Sequence, residues 1–198
     1  RSSDLNKAEI VFCDGAGVML GTRLLGKTIP ERITYADWYW QLAALAEARG
    51  YTLFLLGAQP GVAQKAADRL LAAYPRLQIV GMRDGYFDAT PFSAENEAVL
   101  ASINSVSPDI LTVGMGMPRQ EAWLRDNWHR LDARVALTGG AVFDYISGDL
   151  TRAPRWMTDN ALEWLGRLII EPNRLWRRYL LGNPRFLLRV LKLRLTRH

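Results

Sequence analysis

Residues 51–75 read YTLFLLGAQPGVAQKAADRLLAAYP. The first seven form an apolar run with no polar alternation, the pattern of a strand buried on both faces. AQPG interrupts the run with turn residues. Val62, Ala66 and Leu70 then recur at helical spacing, and Pro75 closes the segment. A buried strand, a glycine-containing turn and a helix make one half of a β-α-β unit.

Working outward, the same grammar repeats. LQIVGM (77–82) reads as a strand and SAENEAVLASINSVSP (93–108) as a helix with Ser93 at its cap and acids in its first turn. DILTVGMG (109–116) is a strand, PRQEAWLRDNWHRL (118–131) a helix opened by proline, and ARVALTGG (133–140) a strand. AVFDYISG and TRAPRWMTDNALEWLGRLIIEP follow as helices. Upstream, TYADWYWQLAALAEARG (34–50) is helical with Gly50 as its stop, and VMLGTRLLG (18–26) forms a short helix. EIVFC (9–13) is a further apolar run, read as a strand that ends at Asp14. The expected fold is α/β: a Rossmann-like, mostly parallel sheet with helices on both faces and a helical, basic C-terminal appendage.

That appendage is set apart by charge. Residues 171–198 hold 8 Lys/Arg against one acid, whereas the whole chain has 25 basic and 20 acidic residues. Residues 1–170 therefore carry 17 − 19 = −2 and the tail +7. The division by composition is 1–170 for the α/β domain and 171–198 for the appendage. A segment both cationic and apolar suits an anionic, greasy partner. Pro172 and Asn183-Pro184 are expected to break it into two short helices. In the second, Arg185, Arg189 and Lys192 fall at i, i+4, i+7 among Phe186, Leu187, Val190, Leu191 and Leu193, the pattern of an interfacial amphipathic helix. The alternative is a tail helix packed on the core with solvated arginines. No run of 18 apolar residues is present, and RSSDLNKAE has no signal-peptide core.

Four glycine-rich segments follow the expected strands: DGAG (14–17), GAQPG (57–61), GMGMPRQE (114–121) and TGGAVFD (138–144). Ligands of such sheets bind beyond the carboxyl ends of the strands, where backbone N–H groups and helix N-termini favour phosphate. Each loop alone is equally a tight βα turn; four on one rim point to a nucleotide-type site. Asp14, at the expected strand end, is a candidate general base, with a helix-cap role as its alternative. Arg32, Arg119 and Gln120 are polar groups near the same rim, and Arg119 is also read as a solvated helix end. Trp123, Trp128, Trp156 and Trp164 are expected to be packing anchors.

Several classes lack their signatures. Neither GxGxxG nor GxxxxGK[ST] occurs, which counts against NAD and P-loop sites. Cys13, His129 and His198 cannot make a Cys/His zinc site, and no D-x-D bridges a metal to a diphosphate. The negative body offers no basic groove for nucleic acid. The rivals that stay open are another nucleotide-binding α/β enzyme and a non-catalytic module at a membrane surface.

The segments DGAGVMLGTRLLGKTIPERITYAD, FLLGAQPGVA, IVGMRDGYF, PDILTVGMGMPRQEAW, LTGGAVFDYISGDLTRAPRWM and LEWLGRLIIEPNRLWRRY span nearly the whole chain. In that order they resemble the WecG/TagA/CpsF family of bacterial glycosyltransferases. The resemblance implies an inverting transferase that needs no cofactor or metal. It implies transfer of a sugar, N-acetylmannosamine or a related hexose, from a UDP-sugar to a polyprenyl-diphosphate-linked sugar in cell-surface polysaccharide or teichoic acid assembly. The implied location is the cytoplasmic face of the bacterial plasma membrane, held peripherally. It implies Asp14 as the base, with Gln120 in the active site and Arg32 matching the arginine of the ER[VI]T segment.

On that reading Arg32 and the amides of Gly114, Gly116, Gly139 and Gly140 would stabilise the nucleotide diphosphate, while Gln120 orients a sugar. Arg174, Arg177 and Arg178 would clasp the lipid diphosphate, and Arg185, Arg189 and Lys192 would contact the membrane. Members of the family usually carry an upstream strand–helix region with a Thr-Pro-Asn segment. This sequence begins after it, so a pocket short of one wall is expected. A homo-oligomer is among the arrangements the sequence allows.

Overall fold

The computed structural model describes residues 8–151, 157, 163–170 and 172–196, without the side chains of Glu163, Arg167, Ile170, Arg174, Leu175 and Arg178. These residues form two compact units. One comprises Tyr35–Leu150 with the described residues before Phe12; the other comprises Phe12–Thr34 and the described residues after Leu150. The boundary at 170 drawn from charge is one of composition, and packing groups the chain differently.

The first unit is built on strands β1 (Thr52–Gly57), β2 (Gln78–Arg83), β3 (Ile110–Gly114) and β4 (Val135–Thr138). All neighbours pair in parallel, in the order β2-β1-β3-β4. The helices number α1 (Ala16–Leu24), α2 (Tyr35–Arg49), α3 (Val62–Ala73), α4 (Ala94–Asn104), α5 (Arg119–Asn127) and α6 (Val142–Ser147). The expected α/β fold with a parallel sheet is what forms.

The two faces of β1 show why its run had no polar alternation. Leu53 and Leu55 pack with Tyr39 and Ala43 of α2, Leu70 of α3 and Phe143 of α6. Phe54 and Leu56 point the other way, to Val99 and Ile103 of α4 and Trp123 of α5. Helices cover both sides, so Leu53, Phe54, Leu55 and Leu56 are all apolar. Caps follow the sequence as well. Asn96 N–H donates to Ser93 Oγ at 3.1 Å at the start of α4, and Gly50 ends α2 with φ of +69°.

One expected strand does not form. Residues 9–13 make no ladder, and Ile10 and Val11 are exposed. An apolar run becomes a strand only where a neighbour supplies a ladder of hydrogen bonds; here Ile33 N–H donates to the Cys13 carbonyl, but residues 9–13 are not assigned to a strand.

The second unit holds α1 and the tail helices α7 (Glu163–Ile170), α8 (Pro172–Trp176) and α9 (Asn183–Leu195). The tail is not broken at Asn183-Pro184. Gly182 and Asn183 stay helical, and Arg177–Gly182 winds as a π-helical segment between α8 and α9. Pro184 lacks an N–H and its ring would strike the carbonyl four residues back. The wider π turn accommodates both defects. Helix α9 packs on α1, where Phe186 and Val190 lie over Gly21.

Candidate functional site

The carboxyl rim of the sheet is built by close backbone approach. Gly57 ends β1 opposite Gly114 at the end of β3. A Cβ on Gly57 would stand 2.3 Å from the Gly114 carbonyl oxygen, so only glycine fits. Ala58 N–H donates to that carbonyl at 2.8 Å, and Gly85 N–H to the Ala58 carbonyl at 2.9 Å. Strand order reverses between β1 and β3, because β1 leads to β2 on one side and β3 to β4 on the other. This is the position at which open α/β sheets bind ligands.

The loops after β3 and β4 are tied together by Gln120, which is only 4% exposed. Its Oε1 accepts from Gly116 N–H at 3.1 Å and from Gly140 N–H at 3.0 Å. Its own N–H donates back to the Gly116 carbonyl. Gly139 N–H donates to the Val113 carbonyl at 2.8 Å. The amides of Gly116, Gly139 and Gly140 are thus engaged inside the protein. What these glycines leave open is space. Gly116 and Gly140 have left-handed φ of +78° and +57°, and no atom among the described residues lies within 4 Å of where a Cβ would stand.

The segment MPRQE is more occupied than its sequence suggests. Arg119 Nη2 donates to the Phe87 carbonyl at 2.7 Å and its guanidinium lies 5.7 Å from the Phe87 ring centroid. It anchors the loop after β2, although it remains exposed. Glu121 was not singled out from the sequence. Its Oε1 accepts from Gln120 Nε2 at 2.8 Å, and its Oε2 is buried with no hydrogen-bond partner among the described residues. Its partner is the adjacent Gln120, and what the sequence does not show is that Gln120 reaches Gly140 twenty residues on.

Asp14 and Arg32 come together in the second unit. Asp14 stands in an extended segment just ahead of α1, not at a strand end. It does not cap α1: Gly15 holds that position, with no side-chain cap bond. Arg32 Nε donates to the Asp14 carbonyl at 2.6 Å, and Arg32 Nη2 lies 3.9 Å from Asp14 Oδ1. The Asp14 side chain is 56% exposed and that of Arg32 20%. A guanidinium fixed against main chain therefore stands beside a carboxylate that solvent reaches.

In the tail, Arg177 stacks on Trp176 at 5.2 Å. The side chains of Arg174 and Arg178 lie outside the described residues. Arg185, Arg189 and Lys192 are exposed on α9, as are Leu188, Leu191, Leu193 and Leu195, while Val190 is buried. The helix thus packs through one stripe and shows solvent both leucines and cations.

Other acids have local duties. Asp84 Oδ1 accepts from Tyr86 N–H and Asp88 Oδ1 from Thr90 N–H, each a turn within its own loop. The Thr90 bonds hold the Asp88 carboxyl below its usual range. Asp37 and Asp144 sit in the first turns of α2 and α6. Among the described residues no three His, Cys, Asp or Glu side chains converge as a metal site. Of the tryptophans, Trp123 is a buried anchor and Trp164 packs against Tyr179, whereas Trp128 is exposed; Trp156 lies outside the described residues.

A profile of the glycosyl transferase WecG/TagA/CpsF family matches residues 2–198. The chain belongs to this family. Among its relatives is the N-acetylglucosaminyldiphosphoundecaprenol N-acetyl-beta-D-mannosaminyltransferase of Bacillus subtilis strain 168, 32% identical over 188 residues. That match covers 95% of this chain and 70% of the relative. The enzyme of the same name from Bacillus spizizenii is also 32% identical, over the same shares. By its name, each relative adds an N-acetylmannosaminyl residue in β linkage to a sugar carried on diphosphoundecaprenol. Family membership makes glycosyl transfer the chemistry of this chain.

Proposed function

We propose that the chain transfers an N-acetylmannosaminyl or related hexosyl residue from a UDP-sugar to a polyprenyl-diphosphate-linked sugar at a membrane surface. The transfer inverts the anomeric centre and uses no metal, within cell-surface polysaccharide or teichoic acid assembly. The observation that carries this reading is Asp14, an accessible carboxylate fixed beside Arg32 in a chain of glycosyltransferase family.

Inversion requires a single displacement. Asp14 takes the proton of the acceptor hydroxyl as that oxygen attacks the anomeric carbon. The bond from that carbon to the UDP oxygen breaks on the opposite face, and UDP leaves with the electron pair. The protonated Asp14 then returns its proton to solvent. Arg32 supplies positive charge for the developing diphosphate. In the first unit Gly116 and Gly140 front open space as a backbone surface, with Gln120 holding both of their amides. Gln120 itself fixes that surface rather than reaching a sugar with its oxygen.

The tail supplies the acceptor's surroundings. Arg174, Arg177 and Arg178 take the lipid diphosphate, and Arg185, Arg189 and Lys192 meet anionic headgroups while the leucines of α9 enter the interface. No helix among the described residues is long and apolar enough to cross a membrane. The placement proposed is peripheral, on the cytoplasmic face.

The test is direct transfer from UDP-N-acetylmannosamine to N-acetylglucosaminyl-diphosphoundecaprenol in detergent or vesicles, with linkage determined on the product. A β-linked disaccharide, formed equally in the presence of a chelator, supports the proposal. No transfer from any UDP-hexose overturns it.

A further inference from the structure

Gln120 presents one oxygen to two backbone N–H groups from separate loops, and only one orientation of its amide can do so. Rotated by half a turn, the amide would set its NH2 group against Gly116 N–H and Gly140 N–H, donor against donor. The two N–H groups thus favour one orientation, and Glu121 locks it: its Oε1 accepts from Gln120 Nε2 at 2.8 Å, which is possible only when Oε1 of Gln120 faces the glycines. We infer that Glu121 is a positioning residue of the transferase, acting through Gln120 to hold the loops after β3 and β4 in one arrangement.

The carboxylate is not explained by stability. Its Oε2 is buried without a partner among the described residues, and an unsatisfied buried oxygen is a cost. A side chain kept at that cost is placed for what its other oxygen does. The loops it governs are those whose glycines front open space on the ligand rim, so an error in their separation reaches any group bound there. The relay spans three links: Glu121 orients Gln120, Gln120 joins Gly116 to Gly140, and those glycines shape the surface. It rests on the proposed transferase activity for its consequence in catalysis, but not for its geometry.

The test therefore reads geometry and transfer separately, in the full chain. Amide hydrogen exchange at Gly116 and Gly140 is followed by NMR, with Leu55 and Leu111 of the sheet as internal controls for folding. Glu121→Ala should speed exchange at both glycines together by about tenfold, the loss expected for one net hydrogen bond, with the sheet amides unchanged. Glu121→Gln keeps an acceptor oxygen for Gln120 and should retain protection. The exchange of identities, Gln120→Glu with Glu121→Gln, rebuilds the relay in reverse: the new carboxylate accepts from both glycines and from the new amide. It should recover protection and transfer that Gln120→Ala loses.

Unchanged exchange in Glu121→Ala would overturn the inference. So would loss of transfer in the exchanged pair with the sheet amides still protected, because that result would make Gln120 a direct ligand of the substrate. Protected glycines in a chain that transfers nothing would instead sink the transferase reading and leave the relay standing.

Discussion

The two units treat their polar groups in opposite ways. In the first, nearly every polar side chain near the sheet is used internally: Gln120 on two loops, Arg119 on the Phe87 carbonyl, Asn96 between Trp123 and Asn127. In the second, the carboxylate of Asp14 and the cations of α9 face outward beside exposed leucines. On the function proposed above, the groups that meet substrate and membrane belong to the second unit. Substitutions of the outward-facing groups of the second unit should change function with little loss of stability, and those of buried polar groups such as Asn96 in the first should do the reverse.

The largest effect is expected at Asp14. Asp14→Asn should lower turnover by at least about a hundredfold, the usual contribution of a general base, while thermal unfolding stays within a degree or two of wild type. A comparable loss of stability would break the contrast, because it would make Asp14 a structural group. Next comes the tail. Replacing Arg185, Arg189 and Lys192 together by Gln should weaken binding to anionic vesicles by roughly a hundredfold, at about 1 kcal/mol for each cation. Vesicle sedimentation at several salt concentrations checks this, and neutral vesicles should show a much smaller change.

Within the first unit the contrast runs the other way. Trp123 Nε1 donates to Asn96 Oδ1 at 2.7 Å, and Asn96 Nδ2 to Asn127 Oδ1 at 3.0 Å, all three residues being buried. Asn96→Ala leaves a buried indole N–H and an amide oxygen without partners and should cost about 3 kcal/mol. Denaturant unfolding would measure it, and the surviving folded fraction should keep its transfer rate.

The smallest effect is electrostatic. At the opposite end of the sheet Asp109 Oδ2 accepts from the Thr52 N–H and hydroxyl, and Arg134 lies 3.2 Å from its Oδ1. The Thr52 backbone bond, then the hydroxyl and Arg134, hold the Asp109 carboxyl below its usual range. A depressed folded-state pKa stabilises the fold above the unfolded-state value, and that contribution is lost as pH falls through the folded-state value. Asp109→Asn should therefore be slightly less stable than wild type at neutral pH, with the gap closing in acid.

Much of the first unit was legible because its signals are local. The apolar run at β1, the Ser93 cap and the stop at Gly50 each need only neighbouring residues. The strand expected at residues 9–13 failed because strand formation depends on a partner that the run itself does not specify. The break expected at Pro184 failed because the π turn at Arg177–Gly182 absorbs the missing N–H, and no residue type marks such turns. At the site, the settings of Asp14 and Gln120 are not legible in the sequence. Gln120 joins glycines at positions 116 and 140, and Glu121 acts only through it; pairings of that span follow from the fold.

The proposed transfer requires that a nucleotide diphosphate bind the chain without a metal. Calorimetric titration of UDP into the wild-type protein, first with a chelator and then with excess magnesium, decides it. Binding of equal affinity in the two conditions is the result expected. Binding that appears only with magnesium, or no heat in either while a dinucleotide such as NAD binds, would contradict it.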